Sequence, residues 1–174
     1  ASLASRLLIL EDGAVTQVGA VREVLSTPAT RFAAAAAGTN RLLGVARGGC
    51  WTAQTAGGAV VLGTGDAASR RAASREGAPL AAFVRPSAVT LEPLDIGTGP
   101  ARPGEWDARI VRLDHTLGGA RVHTAEPPVA VDVSTDAVAA RSLAPGVPVR
   151  LRVDVAEVRF AAVDDGIGCM HEPT

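Results

Sequence analysis

Val147-Pro148-Val149-Arg150-Leu151-Arg152-Val153-Asp154-Val155 sets an apolar side chain at every second position, with a charge or a proline between. A period of two marks a β-strand with one face buried and the other in water. Outward from this stretch the pattern recurs. Val129, Val131 and Val133 alternate upstream, Val122 precedes them, and Trp106, Ala108 and Ile110 with the neighbouring Val111 and Leu113 come earlier still; Val158 follows downstream. Gly119, Pro127-Pro128 and Pro145-Gly146 punctuate these runs. Five short strands so separated predict a small β-barrel or sandwich.

One helix interrupts the strands. Ser134 to Ser142 carries a helix signature, with Ser134 or Thr135 as N-cap and Ala137, Val138 and Leu143 on one side. Strands around one short helix suit a five-stranded OB-type barrel, so the expected fold is mainly β. Upstream, Leu80 to Val84 reads as a strand that Pro86 must end or confine to an edge, because proline gives no ladder donor. Gly48-Gly49, Gly57-Gly58, Gly63 and Gly65 separate short apolar runs, of which Ala59 to Leu62 is the clearest strand. Asp66 to Gly77, with Arg70, Arg71 and Arg75 among alanines and serines, reads as an exposed loop. At the start of the chain, Leu7 to Leu10 and Val15 to Val18 flank Asp12-Gly13 as a hairpin does, and Val21, Val24 and Leu25 then recur at helical spacing up to Pro28. A hairpin with short helices cannot enclose Leu7 to Leu10, so this piece is expected to dock on something larger. The division expected is 1–40, 41–103 as accessory strands and flexible linkers, 104–163 as the barrel, and 164–174 as a frayed tail.

Of 174 residues, 47% are apolar and 20% charged, the balance of a globular chain. Phe32, Phe83, Phe160, Trp51 and Trp106 are the only aromatics, which argues against a large aromatic-lined pocket. Every basic residue besides histidine is arginine, so Schiff-base and phosphate-loop lysine chemistry is excluded. A formal charge of -1 argues against nonspecific nucleic-acid binding. Cys50 and Cys169 have no ligand spacing and read as unpaired thiols of a reducing compartment. The most apolar run, Ala33 to Gly38, is far short of the ~20 residues of a membrane span, and no secretory signal is visible.

Leu3 to Gly13, then Gln17-Val18-Gly19, Val24-Leu25 and Pro28-Ala29-Thr30-Arg31-Phe32, resembles the end of the ATPase domain of an ABC transporter. Val84-Arg85-Pro86-Ser87-Ala88-Val89 resembles a strand-turn of the accessory (TOBE) domain that follows it in importers. Trp106 to Phe160, with Asp132-Val133-Ser134, Leu143 to Val147 and Val153 to Val158, is similar to the Mop-type OB domain that ends the ATP-binding subunit of molybdate importers. The resemblance implies a cytoplasmic subunit, peripheral to the inner face of the membrane, that pairs with a copy of itself beneath a permease and senses molybdate or tungstate. The family's phosphate loop, signature segment, Mg-binding aspartate and switch histidine have no counterpart in this sequence. Without groups to hold phosphates, Mg²⁺ and the attacking water, the chain alone is expected not to be an enzyme; ATP and Mg²⁺ would belong to a full-length parent.

The family's oxyanion ligands, a Ser-x-Arg-Asn segment and a Lys-Ala-Thr segment, have as nearest equivalents Pro100-Ala101-Arg102-Pro103 and Asp154-Val155-Ala156. The candidate oxyanion-binding residues are therefore Arg102, with Ser134 and Thr135 at a helix start. Asp154 sets a negative charge where the family has lysine, and pairing with Arg102 or Arg152 is the structural alternative. His115 and His123 flank Gly118-Gly119 but lack a third metal ligand, His171 after Cys169 makes an incomplete pair, and no catalytic constellation is present. Two readings follow: an oxyanion-sensing C-terminal portion of an importer ATPase subunit, or a ligand-free dimerisation module of an importer for another solute. Both predict a homodimer in contact with an ATPase domain.

Overall fold

The computed structural model describes residues 4–95 and 97–163. The expected tail, with Cys169 and His171, lies outside the described residues. The chain begins with strands β1 (Arg6–Glu11) and β2 (Ala14–Ala20), paired antiparallel. They meet about Asp12 and Gly13 at φ of 50° and 81°, the two left-handed positions that a tight hairpin turn requires. Helices α1 (Val21–Ser26) and α2 (Arg31–Ala36) follow, the second capped by the Thr30 hydroxyl accepting from Ala33 N–H. Ile9, Val24 and Ala33 with Leu7 form a small apolar cluster of their own. The opposite face of the hairpin, with Leu8, Leu10, Val15 and Val18, stays about half exposed. The Leu7–Leu10 run is thus covered on one face only.

From residue 40 the chain lays down one series of elements twice. The first series is β3 (Asn40–Arg47), β4 (Cys50–Thr55), β5 (Gly58–Leu62), α3 (Ala67–Ala72), β6 (Pro79–Val84), a 3-10 turn (Pro86–Ala88) and β7 (Val89–Pro93). The second is β8 (Glu105–Thr116), β9 (Gly119–Ala125), β10 (Ala130–Val133), α4 (Thr135–Ala140), β11 (Pro148–Val153), a 3-10 turn (Val155–Glu157) and β12 (Arg159–Ala162). Two five-stranded antiparallel sheets result, ordered β12-β6-β3-β4-β5 and β10-β9-β8-β11-β7. Each series therefore gives its last strand to the other's sheet. β7 pairs with β11, Leu91 opposite Leu151, and β12 pairs with β6, Phe160 opposite Ala82.

This exchange runs across the division expected at residues 103 and 104. The stretch 104–163 does not close a sheet of its own, because its last strand lies beside β6 and its sheet is completed by β7. Residues 41–103, expected as accessory strands and flexible linkers, hold the first of the two series. Leu42, Trp51, Leu80 and Val84 pack with Leu91, Trp106, Val122, Leu151 and Phe160 in one continuous core. Burial of apolar surface at roughly 25 cal/mol per Å² is what holds the two sheets together.

A correction concerns Asp66 to Gly77. It contains α3 in place of an exposed loop, with Ser69 and Ala73 each 1% exposed. Asp66 caps this helix, accepting from Ser69 N–H and Oγ–H at 2.8 Å, and Ser69 Oγ in turn accepts from Phe160 N–H at 2.8 Å. Arg70 and Arg71 lie in the last turn, where cations complement the helix dipole, and Arg70 donates to Gly65 C=O.

Candidate functional site

The residues expected to bind an oxyanion are not brought together. Arg102 is exposed just before β8; its backbone N–H donates to Glu105. Ser134 and Thr135 are exposed at the start of α4, beyond the far end of the same twelve-residue strand, where Ser134 Oγ accepts from Ala137 N–H as an ordinary cap. Asp154 accepts from Ala156 N–H and caps a 3-10 turn, while Arg152 lies 3.9 Å from Glu105, so neither pairing expected for Asp154 is present. His115 stands opposite Ala120 and His123 opposite Arg112, so the two histidines do not face each other.

Cationic groups converge elsewhere. A cavity of about 440 Å³ lies between α2 and the barrel, and Arg31, Arg41, Arg112, Arg121 and His123 line it. No aromatic ring from Phe or Trp contributes to its wall. Arg31 comes from the first turn of α2 and Arg41 from the start of β3. Between them Gly38, at φ 69°, ends α2: its N–H donates to Ala35 C=O and that of Thr39 to Ala34 C=O, the double closure for which glycine is the favoured residue. Asn40, 7% exposed, then fixes β3 against the other sheet. Its amide donates to Ala130 C=O at 2.9 Å and its carbonyl accepts from Ala130 N–H at 2.8 Å, as a strand neighbour would.

The other cations are aimed by a β-bulge. Ile110 pairs with Thr124 inside the core, the register then shifts, and Arg112 pairs with His123. Without the extra residue Val111, Arg112 would stand on the same face as Ile110 and enter the core. With it, Arg112, Asp114, Arg121 and His123 share the outer face. Asp114 Oδ2 lies 2.9 Å from both Arg112 Nη2 and His123 Nε2, and Arg121 grips Asp132 with two bonds of 2.7 and 3.0 Å. Those bonds to Asp132 raise the Arg121 pKa above the ordinary guanidinium value, against the opposing effect of burial.

Arg41 differs from these. Its Nε is buried with no hydrogen-bond partner, and burial lowers its pKa from the ordinary value. Arg31 also has no side-chain partner among the described residues. Four guanidiniums thus line the cavity, and the carboxylates of Asp114 and Asp132 answer two of them. Two positive charges remain, and a guanidinium N–H that has lost water without gaining a partner, as Arg41 Nε has, costs free energy that an acceptor relieves. Among the described residues no group of His, Cys, Asp and Glu is placed to hold a metal, and no helix is long and apolar enough to cross a membrane.

The sequence reading overlooked Arg31, Arg41, Arg112 and Arg121. The internal repeat was the available signal: Val84-Arg85-Pro86-Ser87-Ala88-Val89 and Val153-Asp154-Val155-Ala156-Glu157-Val158 both join a strand through a 3-10 turn to an exchanged strand. Superposing the two series would have matched Arg41 to Glu105 and Asn40 to Gly104, just after the stretch around Arg102.

The architecture defines a mainly β protein of OB type, built from curled five-stranded sheets. Its fold is shared with a solved structure of the cytoplasmic molybdate-binding protein ModG with molybdate bound, at 18% identity and a TM-score of 0.55, over 71% of this chain and 95% of that one. No protein-family model and no curated protein matches the sequence.

Proposed function

We propose that the chain binds a small dianionic oxyanion of the molybdate and tungstate class in the cavity between α2 and the barrel. The observation that carries this reading is Arg41, whose buried Nε has no partner in a cavity where two positive charges lack a counter-charge. A tetrahedral dianion supplies both the acceptors and the charge. The shared fold with ModG, which is described as molybdate-binding, supports the choice of ligand class. Within this reading the chain is the oxyanion-sensing C-terminal portion of an ABC importer's ATP-binding subunit, on the cytoplasmic side of the membrane, paired with a second copy and working with an ATPase domain and a permease.

Titration calorimetry of the purified chain with molybdate and tungstate, and with sulfate as the selectivity control, tests the binding. Saturable heat with one site per chain is expected, lost in Arg41→Ala and kept in Arg102→Ala. A folded protein that gives no heat with any of these anions would refute it. The second reading, a ligand-free dimerisation module, draws support from the half-exposed face of Leu8, Leu10, Val15 and Val18, which suits a protein partner. Sedimentation at several concentrations, with and without Leu8→Ser and Leu10→Ser, would show whether that face joins two copies.

A further inference from the structure

The cavity has walls of two kinds. One wall is α2 and its end, with Arg31, Ala34, Ala35 and Gly38, which belong to the hairpin-helix unit of residues 4–38; the other is the barrel. These two bodies are joined loosely. The hydrogen bonds of residues 5–38 close on residues 5–39 among the described residues. The apolar cluster of Ile9, Val24 and Ala33 is separate from the barrel core. A second cavity, of about 410 Å³, opens on the other side of the junction, between Leu25, Ser26 and Ala37 and the barrel's Phe83, Arg85 and Arg159. Thr39 lines both cavities, so the connection from α2 to β3 runs between two gaps.

Arg31 stands on the hairpin-helix side of the first cavity, and Arg41, Arg112 and Arg121 stand on the barrel side. While the cavity is empty the unanswered charges of Arg31 and Arg41 oppose closure, and a dianion between them reverses the sign of the interaction. We infer that the oxyanion acts as a clasp, held by Arg31 on one side and Arg41 with Arg112 and Arg121 on the other, so that occupancy fixes the hairpin-helix unit to the barrel. This rests on the oxyanion reading of the same cavity. Its consequence is that the hairpin-helix unit, which carries the exposed face of Leu8, Leu10, Val15 and Val18, changes its hold on the barrel when the anion arrives, which relays occupancy to whatever binds that face. The ligand shifts the equilibrium only as far as it prefers the closed arrangement, and Arg31 is the group that supplies the preference.

Hydrogen exchange of the whole chain, followed on peptides spanning 29–39 and 119–133, tests this with and without saturating molybdate, with calorimetry on the same samples. Exchange in 31–39 is expected to slow about tenfold or more with molybdate. Arg31→Ala, an exposed substitution, is expected to weaken binding about ten- to hundredfold. At saturation it should retain protection in 119–133 and lose it in 31–39, and Arg31→Lys should restore part of it. Binding with exchange in 31–39 unchanged would overturn the clasp and leave the binding site standing. Slowing that persists in Arg31→Ala would also overturn it, and a folded wild-type chain that binds no molybdate would overturn the clasp and the binding site together.

Discussion

Replacing Arg41 by methionine should make the empty protein more stable and the anion-bound protein less so. Methionine keeps most of the apolar stem and fills irregular space readily. It removes a buried N–H that has no partner, a group that costs about 1–3 kcal/mol, and one of the two unanswered positive charges at the cavity. A gain of about 1.5 kcal/mol without anion is expected, or a rise in Tm of roughly 3–6 °C for a chain of this size. Affinity should fall about a hundredfold, as the loss of hydrogen bonds to a charged group implies. At an anion concentration of about 100 Kd the wild type gains roughly 2.7 kcal/mol from the ligand, while a variant bound a hundredfold more weakly gains about 0.4 kcal/mol. The order of stability therefore crosses, with the variant ahead by about 1.5 kcal/mol in buffer and behind by roughly 0.8 kcal/mol with molybdate. Urea unfolding followed by the fluorescence of the buried Trp51 and Trp106 measures both. A variant less stable than wild type in plain buffer, and equally stabilised by molybdate, would refute the reasoning.

Asn40→Ala removes both bonds to Ala130 at a buried position and should cost about 2–4 kcal/mol in urea unfolding, with faster exchange of the Ala130 amide; a loss under 0.5 kcal/mol would deny the clip a structural role. Trp106→Phe should cost about 2 kcal/mol less than Trp51→Phe, because Trp106 Nε1 is buried without a partner whereas Trp51 Nε1 donates to Leu80 C=O at 3.1 Å; equal losses would contradict this. The bonds from Ser69 hold the Asp66 carboxyl below its ordinary value of 3.8, Arg159 and Arg70 adding to them. A folded-state value depressed in this way stabilises the fold fully above pH 3.8 and loses that contribution as the pH falls through the lower folded value. Carbon-detected titration should therefore place the Asp66 midpoint below 3.8, and Asp66→Asn should flatten the acid side of the stability profile; a midpoint at or above 3.8 would contradict this.

The strands were legible because each sheet buries one face, and burial on one face writes a period of two into residues such as Val149, Leu151 and Val153. Asp12-Gly13 declared its hairpin because few residues tolerate two consecutive left-handed conformations. The helix α3 was not legible, since small residues and a buried serine carry it in place of a large apolar stripe, and Ser69 earns its burial only through Asp66 and Phe160, far away in sequence. Strand exchange left no trace either, because alternation along β7 or β12 states that a strand has an inner face and not which sheet receives it. The cavity was hidden for a related reason. Its cations lie between residues 31 and 121, and the bulge at Val111 that turns Arg112 outward has no glycine or proline to announce it. Arg102 drew attention by its place in the chain, while the register of the two series matches Arg41 to Glu105, three residues further on.

The exchanged strands make this chain a pair of swapped partners written as one polypeptide. If β7 and β12 belonged to two copies of a single series, the same hydrogen bonds would join a homodimer whose stability rose with concentration. The covalent connection from β7 to β8 turns that bimolecular encounter into an intramolecular one, with an effective concentration on the order of millimolar. Neither half can then melt without stripping an edge from the other, so the two sheets should lose structure in one cooperative transition. Such covalent tethering also frees the two halves to diverge, and they have: Arg41 faces the cavity in one, and Glu105 holds the matching place in the other.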